Sequence, residues 1–157
     1  SKIRSVFDYL YECYAEQRKL FLKKCKRISQ YDSENLFYNV LSEVLTNKYQ
    51  NEYGVAIHIP LNRIIKDFSI LDKKEVKFAQ NEWSHVDFLI YNKLNKTPVL
   101  AIEVDGATYH KADSRQAMRD KLKNVIFEKY SLPLIRFSTK DNVTSKSVSE
   151  KIIEHLH

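Results

Sequence analysis

The sequence predicts an α/β (α+β) fold: a mixed central sheet flanked by helices in the order α-β-β-β-α-β, with an extra basic helix in front. Three observations predict it. Two apolar runs, "HVDFLIY" at 85–91 and "PVLAIEVD" at 98–105, are joined by the turn residues "NKLNKTP", the signature of a β-hairpin. A helical stretch at about 113–130 leads into another apolar run, "LPLIRFS" at 132–138, which predicts a crossover to a further strand. Upstream, a helix and one more strand precede the hairpin.

From the N-terminus, residues 3–27 read as a helix, with Val6, Leu10, Cys13, Leu20 and Phe21 at roughly helical spacing. "SQYDS" at 29–33 is a polar break in which Asp32 or Ser33 caps the next helix, about 34–49. Phe37, Leu41, Val44, Leu45 and Lys48 follow the three-to-four spacing of an amphipathic stripe. After the turn at 51–54, "VAIHIPL" is a strand, with Pro60 ending its pairing or marking an edge. Residues 62–82 are polar and read as a loop with a short helix. In the 113–130 helix Met118, Leu122, Val125 and Ile126 share a face, and "LPLIRFS" reads as a buried strand. A final short helix is capped near Ser147. Two regions follow: a basic N-terminal helix at 1–28 and a folded domain at 29–157.

At 157 residues with 43% hydrophobic and 12% aromatic content, the chain can bury a real core. No apolar run approaches the roughly 20 residues that span a bilayer. With no signal-peptide core near its start, the expectation is an intracellular, cytoplasmic protein excised from a larger parent. Cys13 and Cys25, if on one helix, stand roughly 18 Å apart, too far for a disulfide. Without a CxxC pair, a structural zinc site is not expected. The formal net charge is +6. "RKLFLKKCKR" at 18–27 carries six basic residues and no acid, and 111–123 carries five with two acids. A polyanion such as nucleic acid could lie across such patches, the alternative being charge that merely keeps the domain soluble.

The hairpin carries the chemistry. Strand side chains alternate, so Glu103 and Asp105 point one way while Leu100, Ile102 and Val104 point the other. A hairpin folded symmetrically about Asn95 sets Asp87 opposite Glu103, with Cβ atoms about 4.5–5.5 Å apart. Acids are depleted from strands, and like charges facing one another destabilise a sheet. A divalent cation, Mg²⁺ or Mn²⁺, removes that cost because hard oxygens are its preferred ligands. The bland reading is a solvated end of the sheet. Glu34 lies in the angular sector of Tyr38, Leu41 and Leu45, so it faces inward as a further ligand or as the group that orients water. Taken alone it is an acid in a helix's first turn. Gly106 ends the strand and His110 follows as a candidate acid, base or phosphate contact. Arg115, Arg119 and Lys123 recur every four residues on the next helix, with Lys121 on its other flank and Lys111 just before it. Each is a solvated face or a phosphate contact. Arg136, inside a strand, needs a carboxylate such as Asp120.

These residues resemble the PD-(D/E)xK, restriction-endonuclease-like nuclease superfamily. The residues at 33–138 follow its order of helix, three strands, helix, strand. Asp87 in "HVDFLIY" matches its first acid, Glu103 in "AIEVDG" its second, and Glu34 its helical glutamate. "IEVDGATYH", then "RDKLK", then "LPLIRF" is similar to the branch of very-short-patch repair endonucleases and nuclease-like domains of unknown function appended to bacterial helicases. The resemblance implies Mg²⁺-dependent phosphodiester hydrolysis, DNA more than RNA, and a helicase module in the same parent chain. It also implies a metal site of Asp87, Glu103 and Asp105. One departure stands out: Asp105 occupies the position of the superfamily's lysine. Lys123, Lys121 or His110 would then supply the charge. The alternatives are a nucleic-acid-binding module of the same fold without catalysis, or a protein-interaction domain using the basic first helix.

Overall fold

The computed structural model describes residues 2–6, 9, 32–105, 114–138 and 143–156. Its elements are α1 (Asp32–Tyr49), β1 (Tyr53–Pro60), α2 (Leu61–Ile64), α3 (Lys73–Gln80), β2 (His85–Asn92), β3 (Pro98–Asp105), α4 (Ser114–Lys129), β4 (Leu134–Ser138) and α5 (Ser145–Ile152). The four strands lie in chain order, β1-β2-β3-β4. The first three are antiparallel, and α4 carries the chain back so that β4 runs parallel to β3. The sheet is therefore mixed, with helices on both faces, as expected.

Turn chemistry closes the hairpin. Asn92 Oδ1 accepts the amides of Leu94 and Asn95, and Lys96 takes a left-handed φ of 60°. Phe88 then pairs with Ile102, the register that symmetry about Asn95 requires, with a one-residue shift at Tyr91–Pro98. At the other end of α1, Gln50 and Asn51 are both left-handed and turn the chain into β1.

One face of the sheet packs Phe88, Ile90, Leu100 and Ile102 against Phe37, Leu41 and Leu45 of α1 and Val148 and Ile152 of α5. The other face packs Ala56, Leu89 and Ala101 against Leu61, Ile64, Ala79, Ile126 and Phe127. Each fully buried Leu, Ile or Phe contributes about 1.5–3 kcal/mol, so the two layers dominate stability. No helix among the described residues is long and apolar enough to cross a membrane.

Several expectations need correction. Residues 2–5 are extended rather than helical: Ile3 bridges Ile65, Arg4 N–H donates to Ile64 O, and Lys66 N–H donates to Lys2 O. Val6 and Tyr9, just beyond, are buried in the second layer. Residues 7–8 and 10–31 of the expected first helix, its basic tail included, lie outside the described residues. The polar stretch 62–82 holds two helices, and α3 starts on a capping box in which Asp72 Oδ1 accepts from Glu75 N–H and Glu75 Oε1 from Asp72 N–H. Glu75 Oε1 also takes the Lys129 ammonium at 2.5 Å, tying α3 to α4. The last helix is capped by Thr144, with Ser147 reciprocating three residues on. β4 is only half-buried apart from Phe137, because it is an edge strand. The buried stripe of α4 is Lys123, Ile126 and Phe127, while Met118 is exposed. That face is turned by about one residue from the expected one, which carries Lys123 inward.

Candidate active site

Packing places the acids. Phe37 packs in tilted contact on Phe88, with ring centroids 5.4 Å apart, and on Phe137 at 4.8 Å, locking the first turns of α1 over the sheet. Glu34, one turn earlier on that face, is thereby held buried at the end of the sheet where β2 begins and β3 ends. There the ladder opens. Beyond the Phe88–Ile102 pair, the Val104 amide donates to Asp87 Oδ2 at 2.8 Å instead of to β2 backbone. Asp87 is buried, and Glu103 on the adjacent strand is partly buried beside it.

Two histidines complete the cluster. His58 sits in β1 with φ of 48°, a left-handed conformation that costs on the order of 1–3 kcal/mol in a non-glycine residue. Its neighbours Ile57 and Ile59, two apart in the strand, consequently pack into opposite layers. Nε2 of His58 donates to Glu34 Oε2 at 2.7 Å. The His58 ring stacks on His85 with centroids 5.4 Å apart. His85 donates from Nδ1 to the Trp83 carbonyl at 3.0 Å, and its Nε2 faces Asp87 Oδ1 at 3.7 Å. Lys123 reaches in from α4, donating to the His85 carbonyl at 2.8 Å and to Glu103 Oε1 in a close ion pair.

The electrostatics follow from this crowding. Burial pushes the Glu103 carboxyl up to about 7, with Lys123 pulling it back and Asp87 adding to the rise. Burial also raises Asp87, opposed by the Val104 amide and reinforced by Glu34. The hydrogen bond to Glu34 raises His58 against the effect of burial. Burial raises Asp105 too, and Asp120 adds to it while Arg136 and Lys123 oppose. Arg136 donates to Asn124 Oδ1 at 2.6 Å and approaches Asp120 Oδ1 at 3.9 Å, the partner expected for it.

A family model described as "Protein of unknown function (DUF2726)" matches residues 27–156. The chain belongs to the DUF2726 family. No curated protein and no solved structure matches it.

In this DUF2726 domain the structure brings together Glu34, Asp87, Glu103 and Lys123. Asp105 shares Glu103's side of the strand but is coupled to Asp120 and Arg136. Arg115, Arg119 and Lys121 lie exposed along α4. His110, Lys111 and Gly106 fall outside the described residues. His58 and His85 were missed by sequence reasoning. The only signal for His58 was a polar residue inside the apolar run "VAIHIPL", and alternation alone could not show that the backbone turns over there. For His85 the signal was its place two residues before Asp87, on the same side of a strand.

A hard divalent cation suits this donor set. Among the described residues no three His, Cys, Asp or Glu side chains converge as a ready-made cage. Asp87 and Glu103 nevertheless present carboxylate oxygens from neighbouring strands, both held at raised pKa by burial. Burial disfavours their charged forms, even with the Lys123 ammonium on Glu103. Asp105 lies one strand repeat further along.

Proposed function

We propose that this DUF2726 domain hydrolyses phosphodiester bonds in nucleic acid, DNA in preference to RNA, with Mg²⁺ or Mn²⁺. The observation that carries the reading is buried Asp87 beside partly buried Glu103, with the Lys123 ammonium seated on Glu103. Asp87 and Glu103, with Asp105 beyond them, would hold the ion. When bound, such an ion polarises a phosphoryl oxygen and lowers the pKa of a water molecule. Lys123 takes the part of the superfamily's lysine from a helix rather than from β3, placing fixed positive charge where negative charge develops in the transition state. Its competitor Lys121 is exposed on α4. Glu34, oriented by His58, faces the same cluster and positions the attacking water. Arg115, Arg119 and Lys121 bind flanking phosphates.

Incubation of the purified chain with plasmid and with single-stranded DNA, plus Mg²⁺ or Mn²⁺, tests this reading. Cleavage is expected, abolished by Asp87→Ala or Glu103→Ala. Lys123→Ala is expected to slow it by about 100-fold or more, the usual effect of deleting one charge-stabilising donor. Binding without cleavage under every metal would replace this reading with a non-catalytic nucleic-acid-binding module.

A further inference from the structure

Trp83 is 88% exposed, although an indole is among the most costly side chains to leave in water. It stands in the turn between α3 and β2, and that turn is fixed. Asn81 N–H donates to Phe78 O, Trp83 N–H to Asn81 Oδ1 at 3.0 Å, and Ser84 N–H to Asn81 O. Leu61 N–H then holds Ser84 O at 2.8 Å, and the Trp83 carbonyl receives His85 Nδ1. Both backbone polar groups at Trp83 are therefore engaged, and the indole is displayed from a rigid support. A ligand stacking on it would order little of the backbone, which favours affinity.

Position decides what that ligand is. Trp83 precedes His85 by two residues and Asp87 by four, at the end of the sheet where Glu103 and Asp105 lie because β2 and β3 are antiparallel. The Lys123 ammonium rests on the His85 carbonyl, and one turn toward the start of α4 stands exposed Arg119. Asn81, Glu82 and Ser84 around the indole are polar, and exposed Leu94 is at the far, hairpin end of the sheet. Among the described residues, the chain neighbours of Trp83 offer no exposed large apolar side chain to extend it into a patch suited to a protein partner. A rigid exposed aromatic at the end of the sheet that α4 serves with exposed arginine suits single-stranded nucleic acid, with cations tracking the backbone and the ring taking a base. A base inside a duplex has both faces stacked already.

We propose that Trp83 is the stacking platform for an unpaired nucleobase, so that the nucleic acid this chain takes presents a single-stranded stretch at the acidic site. This rests on the reading above only in taking nucleic acid as the partner. Trp83 is the only tryptophan in the chain, so its emission reports on itself. With metal chelated to prevent cleavage, the protein is titrated with a short single-stranded oligothymidylate, a blunt duplex, and a duplex bearing a single-stranded tail. Emission should be quenched by the single strand and by the tailed duplex, while the blunt duplex binds without quenching. Fluorescence anisotropy of labelled oligonucleotides should show Trp83→Ala weakening single-strand binding about 5- to 100-fold, the range stacking of one base supplies. Blunt-duplex affinity should be unchanged, and Trp83→Phe should recover part of the loss. Silent emission at saturating single strand, equal quenching by blunt duplex, or unchanged affinity of Trp83→Ala would each overturn the proposal. Trp83-dependent binding without cleavage would keep the platform and sink hydrolysis. Cleavage by Trp83→Ala at the parent rate, with silent emission, would do the reverse.

Discussion

Asp87 commits one carboxylate oxygen to the Val104 amide and turns the other toward a site already holding Glu34, Glu103 and two histidines. Such crowding has a measurable sign. Glu103, ordinarily near 4.5, is raised to about 7 in the fold, so between those values the folded chain binds more protons than the unfolded one. Its contribution to stability is fully present below about 4.5 and is lost as pH rises through about 7. Asp87 is shifted the same way. His58, raised above 6.5, stabilises the fold below that value and loses the contribution as pH climbs through its raised pKa. Thermal melts of the metal-free chain are therefore expected to fall in Tm from pH 5 to pH 8, and Glu103→Gln should flatten that slope. Mn²⁺ should raise Tm more at pH 8 than at pH 5, and Asp87→Asn should cancel the gain. A gain that is equal at both pH values would mean that these acids do not take the ion. Alternation and hairpin symmetry put Asp87 and Glu103 at one end of adjacent strands, although the ladder ends at Phe88–Ile102 and does not pair them directly. Sequence did not disclose His58, whose left-handed backbone breaks the alternation on which strand reading depends.

At the scale of elements, α4 shows how a sequence can yield the helix but not its rotation. Apolar spacing picked out Met118, Leu122, Val125 and Ile126. The structure instead buries Lys123 with Ile126 and Phe127, because an ion pair to Glu103 lets a lysine occupy the inward stripe. Hydrophobicity alone assigns no lysine to a core. The capping box of α3, Asp72 with Glu75 three residues on, has the required spacing but went unread in the polar stretch 62–82. On β1 and β2 the cross-strand pair Gly54–Tyr91 carries its own test. A Cβ at Gly54 would lie 2.4 Å from Tyr91 Cζ, so the tyrosine ring lies over the glycine. Replacing glycine by alanine at an ordinary φ stabilises by about 0.4–1 kcal/mol through the unfolded state. Forcing the half-buried ring aside costs about 1–3 kcal/mol, so the ring wins. Gly54→Ala is expected to lower the urea midpoint, and adding Tyr91→Ala should cost less than the sum of the two single changes. An unchanged or raised midpoint for Gly54→Ala would show that the ring yields freely.

Over the whole molecule the order of elements and the sidedness of the sheet were legible, because turn residues and periodicity recur along the chain. The two-layer core was not, since no local pattern says which helix covers which face. The net charge of +6 has its own consequence for binding. If Arg115, Arg119 and Lys121 contact phosphates, log Kd against log salt should flatten by about one unit for each neutralised side chain. Single-strand binding measured across a salt series, with each residue changed to glutamine, checks this. A slope unmoved by all three changes would place the polyanion elsewhere.

The candidate site draws on residues 34, 58, 87, 103 and 123, and its fourth strand arrives only at 134–138. A ribosome delivers these in sequence. A chain that has emerged only through β3 has Asp87 and Glu103 but neither the ammonium that answers Glu103 nor the strand that covers β3's open edge. The crossover through α4 supplies them in turn, since the helix carrying Lys123 is also the connection that leads to β4. Birth order thus brings the ammonium before the covering strand: Lys123 emerges within α4, and β4 follows it at 134–138.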